Sequence, residues 1–459
     1  MTRVVVIGGG AAGMSAASAA RRVTPAADVV VCEAGGFAAY GMCGIPYFLG
    51  GVVPEAEDLL AHPPAEFRDR RGIDLRLHTK VSGIDVPAHQ VRIACGGTDG
   101  TLDYDALVFA TGASPVRPPV PGLSGPRVFT IRSLDEAIKL RRLLERGAVG
   151  HAVVVGAGYI GLETAEALVA ARVEIDVVDA LPAVLGTVDE PLARLAQAEL
   201  ERHATVRLSA PLQNVRHRDS DAAGSGALTV VAGGAEIGTD LVVVAAGVRP
   251  ATELLVGAGA EHLPGRAVIV DAQMRTSLPD VFAAGDCVAL HHRVLGAPAW
   301  IPLGPAANKT GRVAGTVAVG GTASFGGVAG TAVVKVFDLE IARTGVTLTE
   351  ARQAGLAAIA TDVVSRTRAK YYPGAAALHI RLVHSPAGKL LGGQIAGREG
   401  AAKRIDVLAT ALHAGLTVAD LAALDLSYAP PFAPVYDPVL AAAIKASGRP
   451  VLNPVGDTS

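Results

Sequence analysis

Residues 4–13 read Val4-Val5-Val6-Ile7-Gly8-Gly9-Gly10-Ala11-Ala12-Gly13, four apolar residues running into a glycine turn and then an alanine-rich stretch. The apolar run predicts a buried strand, and the spacing of Gly8, Gly10 and Gly13 predicts the turn of a βαβ dinucleotide-binding unit. Each glycine has its own task. Gly8 permits the tight turn, Gly10 lets backbone approach a pyrophosphate, and Gly13 lets helix and strand pack closely. The helix N-terminus then presents its unpaired N–H groups to the phosphates. A second apolar strand, Val29 to Cys32, ends at Glu33, twenty residues after Gly13, where a carboxylate holds ribose hydroxyls. Strand, turn, helix, strand and acid in that order are far more specific than an isolated glycine triplet.

The pattern recurs. A strand from Ala152 to Val155 leads into Gly156-Ala157-Gly158-Tyr159-Ile160-Gly161, then a helix carrying Glu163 and Glu166, then Glu174 to Val178 ending at Asp179. Two complete units predict two dinucleotides. Asp179 repels a 2′-phosphate and accepts hydrogen bonds from a free 2′-hydroxyl, so NADH is expected over NADPH. Two further apolar strands end in small residues, Val108-Phe109-Ala110-Thr111-Gly112 and Val281-Phe282-Ala283-Ala284-Gly285-Asp286. Backbone can approach a ligand at both ends, and Asp286 can accept hydrogen bonds from a polyol chain. The order of these segments predicts an α/β fold with two Rossmann-like nucleotide-binding domains, one inserted in the other. Residues 1–115 and 248–329 form the outer unit and 116–247 the inserted one. The proline-rich stretch 115–126 and Gly247-Val248-Arg249-Pro250 are the expected crossings. From residue 330 the texture changes. Thr331 to Phe337 and Leu378 to Val383 read as strands, and Ala401 to Ala414 and Val418 to Leu424 as helices. They predict a C-terminal α+β domain over 330–459, whose closing Ser447 to Ser459 reads as a loosely held tail.

The 459 residues exceed what one core usually organises, and their formal net charge is −2 with no long basic run. Nucleic acid is therefore not an expected partner. No apolar stretch has the length of a membrane span, and the apolar start is too short for a signal peptide, so the expectation is a cytoplasmic protein. Four cysteines without close spacing make neither a disulfide framework nor a metal site. Cys32, Cys95 and Cys287 read as packing residues in or beside short strands. Cys43 differs. It stands in Ala39-Tyr40-Gly41-Met42-Cys43-Gly44-Ile45-Pro46-Tyr47, ten residues beyond Glu33, and Pro46 suits only the first turn of a helix. A cysteine at a helix N-terminus is expected to have its thiol lowered from about 8.5 towards ~4–7, which favours the nucleophilic thiolate. No thiol lies nearby, Phe48 standing five positions on. The resolving sulfur then belongs to the substrate, or Cys43 cycles through sulfenic acid.

The two glycine fingerprints, Thr111-Gly112, Gly285-Asp286 and the lone cysteine of Tyr40–Tyr47 together resemble the pyridine nucleotide-disulfide oxidoreductases. The likeness is to the single-cysteine branch of coenzyme A-disulfide reductases, NADH oxidases, NADH peroxidases and persulfide reductases. Ile301-Pro302-Leu303-Gly304-Pro305-Ala306-Ala307-Asn308-Lys309, Tyr371-Tyr372-Pro373-Gly374 and Tyr428-Ala429-Pro430-Pro431-Phe432 also resemble that branch. The resemblance implies an FAD domain, an inserted NAD domain and a C-terminal dimerisation domain, hence a homodimer with shared active sites. It implies that Gly8, Gly10, Gly13, Glu33, Val81, Thr111, Gly112, Arg132 and Asp286 contact FAD. Gly156, Gly158, Gly161, Tyr159, Glu163, Asp179 and Gly247 would serve the nicotinamide cofactor, Tyr159 as a movable lid. Tyr372 and Tyr428 would flank the substrate sulfur from the partner subunit, and Ser15, Arg22 and Arg71 would hold coenzyme A. Ala11 stands where peroxidases and water-forming oxidases carry a histidine, which weakens the peroxidase reading. Ala19, Ala39 and Met42 stand where polar contacts to coenzyme A are usual.

The leading expectation is FAD-dependent reduction of a low-molecular-weight disulfide, coenzyme A disulfide first, by NADH through Cys43. Persulfide or polysulfide reduction and oxygen reduction share the same chemistry. A ferredoxin or rubredoxin reductase with Cys43 idle, and a non-catalytic flavoprotein scaffold, are the readings from other classes.

Overall fold

The computed structural model describes residues 2–217 and 227–448; the tail expected over Ser447–Ser459 lies, from residue 449 onward, outside the described residues. The apolar runs form strands as their pattern dictates. One five-stranded sheet has the order Val281–Ala283, Ala106–Phe109, Arg3–Ile7, Asp28–Cys32, Ile73–Arg76, every pair parallel. Val4, Val5 and Val6 are completely buried. That is why the run is continuous rather than alternating: a parallel strand covered on both faces has no solvent side. One edge strand comes from residues 281–283, so the chain leaves this sheet after Phe109 and returns to it much later.

In between it builds a second parallel sheet, ordered Thr205–Arg207, Glu174–Val178, His151–Val155, Leu241–Val244, Val128–Thr130. Outgoing Ala113–Pro115 and returning Val248–Pro250 pair antiparallel, with Val248 opposite Pro115. After residue 330 comes a five-stranded antiparallel sheet, ordered Ala332–Val336, Leu339–Gly345, Leu390–Gly397, Ala377–His384, Ile359–Arg366. Its two faces are both covered. Ala342, Leu378, Ile380, Leu382 and Ile395 pack with Ile405 and Leu408 of the helix Ala401–Ala414 and with Val439 of the helix Pro438–Ala446. Val334, Val336, Ile341 and Ala396 join the core of the second parallel sheet, against Leu192, Ala196 and Leu200 of the helix Glu190–Leu200.

The third sheet differs from its sequence reading in extent. Leu390–Gly397 is buried along its whole length, yet it carries Gly392, Gly393 and Gln394, a composition poor in strand formers. Pairing on both sides holds it extended regardless of propensity. Leu339–Gly345 and Ile359–Arg366 likewise add strands the sequence reading did not place, as do two three-stranded sheets, one of Thr79–Asp85, Gln90–Cys95 and Thr98–Asp103, the other of Leu212–His217, Leu228–Ala232 and Ala235–Thr239.

The contact that sets the site is between two helices, Ala11–Val23 and Gly304–Ala318. At Gly311 a Cβ would lie 2.1 Å from the Ala12 carbonyl oxygen, and at Gly315 2.0 Å from that of Ala16. The backbones touch there, and Ser15 Oγ donates to Asn308 Oδ1 at 2.9 Å across the same seam. Gly315→Ala is therefore expected to cost about 1–3 kcal/mol by forcing the helices apart. Gly257→Ala is the control, because no atom lies within 4 Å of its added carbon. Thermal unfolding of the two holoproteins checks this; an unchanged midpoint for Gly315→Ala would contradict the close-contact account.

Candidate active site

The first glycine turn is shaped by exclusion. Gly8 has φ +104°, and a Cβ there would meet the Ala110 carbonyl oxygen at 2.4 Å; one on Gly13 would meet the Gly8 oxygen at 1.8 Å. Gly10 caps the helix Ala11–Val23 without any side-chain bond, so the first N–H groups face open space. The Glu33 carboxylate is oriented by the backbone, accepting from Gly9 N–H and from Gly35 N–H, each at 2.7 Å. Ala283 sits opposite Phe109 in neighbouring parallel strands, so Thr111-Gly112 and Gly285-Asp286 emerge side by side. Thr111 Oγ1 donates to the Ala251 carbonyl at 2.7 Å, and Gly112 has φ +71°. Burial pushes the Asp286 carboxyl upward against the opposing pull of Arg132, and no hydrogen bond to that carboxylate occurs among the described residues. Arg132 donates to Met42 Sδ at 2.8 Å. Val81 is buried at a bulge in the strand Thr79–Asp85. An uncapped helix start, a backbone with no room for a Cβ and a half-buried carboxylate that forms no hydrogen bond among the described residues fit a dinucleotide with a polyol chain. The residues present fit FAD.

The second turn repeats this geometry. A Cβ on Gly156 (φ +108°) would meet the Ala245 oxygen at 2.3 Å, and one on Gly161 the Gly156 oxygen at 1.8 Å. Gly158 caps the helix Tyr159–Ala170 without a side-chain bond. In front of it opens a cavity of about 750 Å³, lined by Gly156, Gly158, Tyr159, Asp179, Gly247 and residues of the 181–187 loop. Asp179 accepts from Ala157 N–H at 2.7 Å and Leu181 N–H at 2.8 Å. Asp179 is the one charged side chain among the described residues that line this cavity. Burial pushes the Tyr159 hydroxyl upward, and the Thr187 side chain beside it pulls the other way. Gly161 and Glu163 lie outside the lining. Gly161 serves helix packing, and the Glu163 charge bears on Cys43 and Tyr47.

Cys43 lies in a tight turn, Met42–Gly44, that runs into the five-residue helix Ile45–Leu49 with Pro46 in its first turn, as the sequence predicts. It is exposed to a second cavity, of about 700 Å³. Ser15, Arg22 and Arg71 line that cavity with it. Arg71 is held firmly: Nη2 donates to Glu66 Oε1 at 2.6 Å, Nη1 to Ser18 Oγ at 3.2 Å, and its guanidinium stands 4.8 Å over the Phe67 ring. Arg22 forms no ion pair among the described residues.

Two sequence expectations need correction. Burial, first, and then the carboxylates of Glu163 and Asp286 push the Cys43 thiol above its ordinary value; its own backbone N–H and Arg132 pull the other way and lose. A five-residue helix has too small a dipole to reverse that. Cys95 is exposed at the end of the strand Gln90–Cys95 beside Gly96-Gly97, not packed inside. Cys32 and Cys287 are buried as expected, their thiols pushed up to about 11 and about 12. Tyr372 and Tyr428 do not line the Cys43 cavity of their own chain. They are exposed. The sequence reading also missed Lys309, Arg312, Asn308 and His62, all in the Cys43 cavity wall. The signal was present: Asn308, Lys309 and Arg312 lie within little more than one turn of the helix, on and beside the face that carries Gly311 and Gly315.

Residues 2–311 match the family described as pyridine nucleotide-disulphide oxidoreductase, and residues 331–438 match its dimerisation domain. The chain is 38% identical over 440 residues to the "NAD(P)H sulfur oxidoreductase (CoA-dependent)" of Pyrococcus furiosus, covering 95% of this chain and 97% of that one. It is 37% identical, with the same coverage, to the "NAD(P)H coenzyme A polysulfide/persulfide reductase" of Pyrococcus horikoshii. Among solved structures, the NAD-dependent persulfide reductase from A. fulgidus superposes with a TM-score of 0.92 at 40% identity, over 97% of this chain and 83% of that one. With the family matched along nearly the whole length and both glycine turns built as its chemistry demands, this chain belongs to the pyridine nucleotide-disulfide oxidoreductases, as an NAD(P)H-dependent flavoprotein reductase.

Proposed function

We propose that this reductase uses NADH to reduce a persulfide or polysulfide carried by coenzyme A, with Cys43 as the attacking sulfur. The overall reaction is R–S–SH + NADH + H⁺ → R–SH + H₂S + NAD⁺. One observation carries the reading: an accessible Cys43 shares its cavity with Arg22, Lys309 and Arg312, none ion-paired among the described residues. Unpaired cations around a cavity mouth attract an anionic substrate, and coenzyme A carries three phosphate groups for them. The relatives named for sulfur, polysulfide and persulfide favour this substrate over coenzyme A disulfide, which the same cavity also suits.

In this reading Cys43 attacks the S–S bond of the substrate. That bond breaks, one fragment leaves as a thiol or hydrosulfide, and Cys43 keeps the other in a new S–S bond. Bound FAD supplies the two-electron relay from the reduced pyridine nucleotide that returns Cys43 to a thiol. Gly8, Gly10, Gly13, Glu33, Val81, Thr111, Gly112, Arg132 and Asp286 hold that group. Gly156, Gly158, Tyr159, Asp179 and Gly247 hold the nicotinamide nucleotide, with Gly161 closing the turn and Glu163 on the Cys43 side. Asp179 in a cavity wall without a lining cation supports NADH over NADPH. Residues 1–115 with 248–329, then 116–247, then 330–459 serve as the FAD, NAD and dimerisation units. The exposed Tyr371, Tyr372, Tyr428, Phe432 and Tyr436 support a homodimer in which Tyr372 and Tyr428 of the partner subunit reach the Cys43 cavity.

NADH consumption with coenzyme A persulfide, polysulfide, coenzyme A disulfide and oxygen alone tests the substrate; the persulfide is expected to give the highest kcat/KM. Cys43→Ser should keep FAD and pyridine nucleotide binding while persulfide turnover falls at least about a thousandfold. Retained turnover would sink the reading. Lys309→Glu with Arg312→Glu should raise the KM for the coenzyme A substrate roughly tenfold and flatten its salt dependence.

The thiol makes a separate prediction. Burial and then Glu166 push the Glu163 carboxyl up to about 7, so above neutrality it is ionised and holds the Cys43 thiol high. Glu163→Gln removes that negative charge, so the thiolate should form at lower pH. The pH profile of Cys43 alkylation in the holoenzyme should move downward; no movement would mean that the two groups are not coupled.

A further inference from the structure

The antiparallel sheet after residue 330 carries four polar side chains in one cross-strand row. Asp362 pairs with Arg381, Arg381 with Gln394 and Gln394 with Arg343, each in direct register on adjacent strands. The row lies on the face of Ile341 and Ala396, two residues away along their strands, which packs against the nucleotide-binding unit. Gln394 is 1% exposed and Arg343 9%. Polar groups buried so deeply need partners, and theirs come from residues 187 and 189.

Asp189 N–H donates to Gln394 Oε1 at 2.7 Å, and Gln394 Nε2 donates back to Asp189 Oδ2 at 2.6 Å. The same Oδ2 accepts from Leu348 N–H at 3.1 Å. Arg381 Nε lies 3.1 Å from it, close enough to pair charges though not aligned for a hydrogen bond. Arg343 donates to the Thr187 carbonyl and grips Glu350 with both ends of its guanidinium, at 2.6 and 3.0 Å. Asp189 is also the N-cap residue of the helix Glu190–Leu200, a position where aspartate ordinarily bonds its own helix. Here its side chain makes no such bond and turns to the sheet.

What this row grips is the wall of the other cavity. Leu181, Ala183, Leu185, Gly186 and Thr187 line the space in front of the second glycine turn together with Tyr159, whose hydroxyl feels the Thr187 side chain. Leu185 is held at φ +48°, strained for a leucine, by the bond from its N–H to the Ala157 carbonyl at 2.9 Å.

We propose that Gln394 and Arg343 are positioning residues for the pyridine nucleotide: they fix the 181–189 loop and Tyr159, so that the C-terminal sheet sets the enzyme's affinity for that substrate. The inference rests on the reading that the 750 Å³ cavity takes the nicotinamide nucleotide.

The test is calorimetric titration of NAD⁺ into the holoenzyme. Gln394→Leu and Arg343→Lys should each raise the Kd about tenfold, with FAD content and the Cys43 alkylation rate unchanged. Asp189→Asn combined with Gln394→Glu re-forms both bonds with residue 189 as the donor of each, keeps a carboxylate near Arg381, and should bring the Kd part of the way back. A folded Gln394→Leu protein that binds NAD⁺ normally overturns the proposal, as does one that loses FAD and Cys43 reactivity in proportion. Should the variants fail to fold, hydrogen exchange on the wild type decides. NAD⁺ should slow exchange in 339–345 and 390–397 as well as in 181–189, and protection confined to the loop overturns the proposal. Wild-type protein that binds no NAD⁺ would sink the functional reading instead. Exchange of the 181–189 loop in Arg343→Lys without ligand then reads the clamp alone: faster supports it, unchanged overturns it.

Discussion

Two helices touching backbone to backbone hold the site together. Ala11–Val23 belongs to the first glycine turn, and Gly304–Ala318 arrives nearly three hundred residues later. They meet where Gly311 and Gly315 leave no side chain between them. Everything at the Cys43 cavity depends on that approach. It sets Ser15 against Asn308, and it brings Lys309 and Arg312 to the wall that Arg22 and Arg71 share from the other side. Small residues here are therefore a geometric requirement of the site as much as a packing preference, since a longer side chain would move one cavity wall relative to the other.

The charges divide the cavity in two. Cations without acidic partners stand towards the solvent, where they act over distances comparable to the screening length and draw anions in. Behind the cavity wall, burial first and then the carboxylates of Glu163 and Asp286 keep the Cys43 thiol protonated longer than an isolated cysteine. Attraction and nucleophilicity thus have different sources. In the proposed reading an anionic substrate would be gathered by the outer arginines and lysine, whereas the thiol's ionisation depends on the inner groups, Arg132 and Glu163 in opposition. Glu163, pushed up to about 7, places that balance within reach of ordinary changes in pH.

Much of this was legible in the residues, for physical reasons that also mark where legibility ends. Gly8, Gly13, Gly156 and Gly161 could be read because each occupies a place that no Cβ can enter, a constraint local to a few residues. The strands at 4–7 and 152–155 could be read because burial on both faces leaves a continuous apolar run. Leu390–Gly397 could not: its glycines and Gln394 look like a loop until strands pair on both sides. The Cys43 thiol went wrong for a similar reason. The turn before Pro46 is local and was read correctly, but Glu163 and Asp286 come from distant segments, and their effect on the sulfur is invisible until the chain is folded. Asn308 and Lys309 lay in a motif already singled out and Arg312 just beyond it, yet only the helix pairing reveals which way that face points.

The row Arg381–Gln394–Arg343, with Asp362 at its exposed end, invites the question why a sheet sandwiched between two cores keeps polar groups in its interior. Apolar residues of similar size would be expected to hold the two units together at least as strongly, because removing charges from water offsets most of what their pairing contributes. An apolar contact, however, tolerates sliding, whereas the Asp189–Gln394 pair, bonded in both directions, has one registration. The backbone it registers is the one that carries Leu185 in a strained conformation and presents Thr187 to Tyr159. A loop held under strain needs fixed partners, and hydrogen bonds with direction supply them where packing alone would let the leucine relax. Position, rather than stability, is what this arrangement secures, and the position secured is that of a cavity wall.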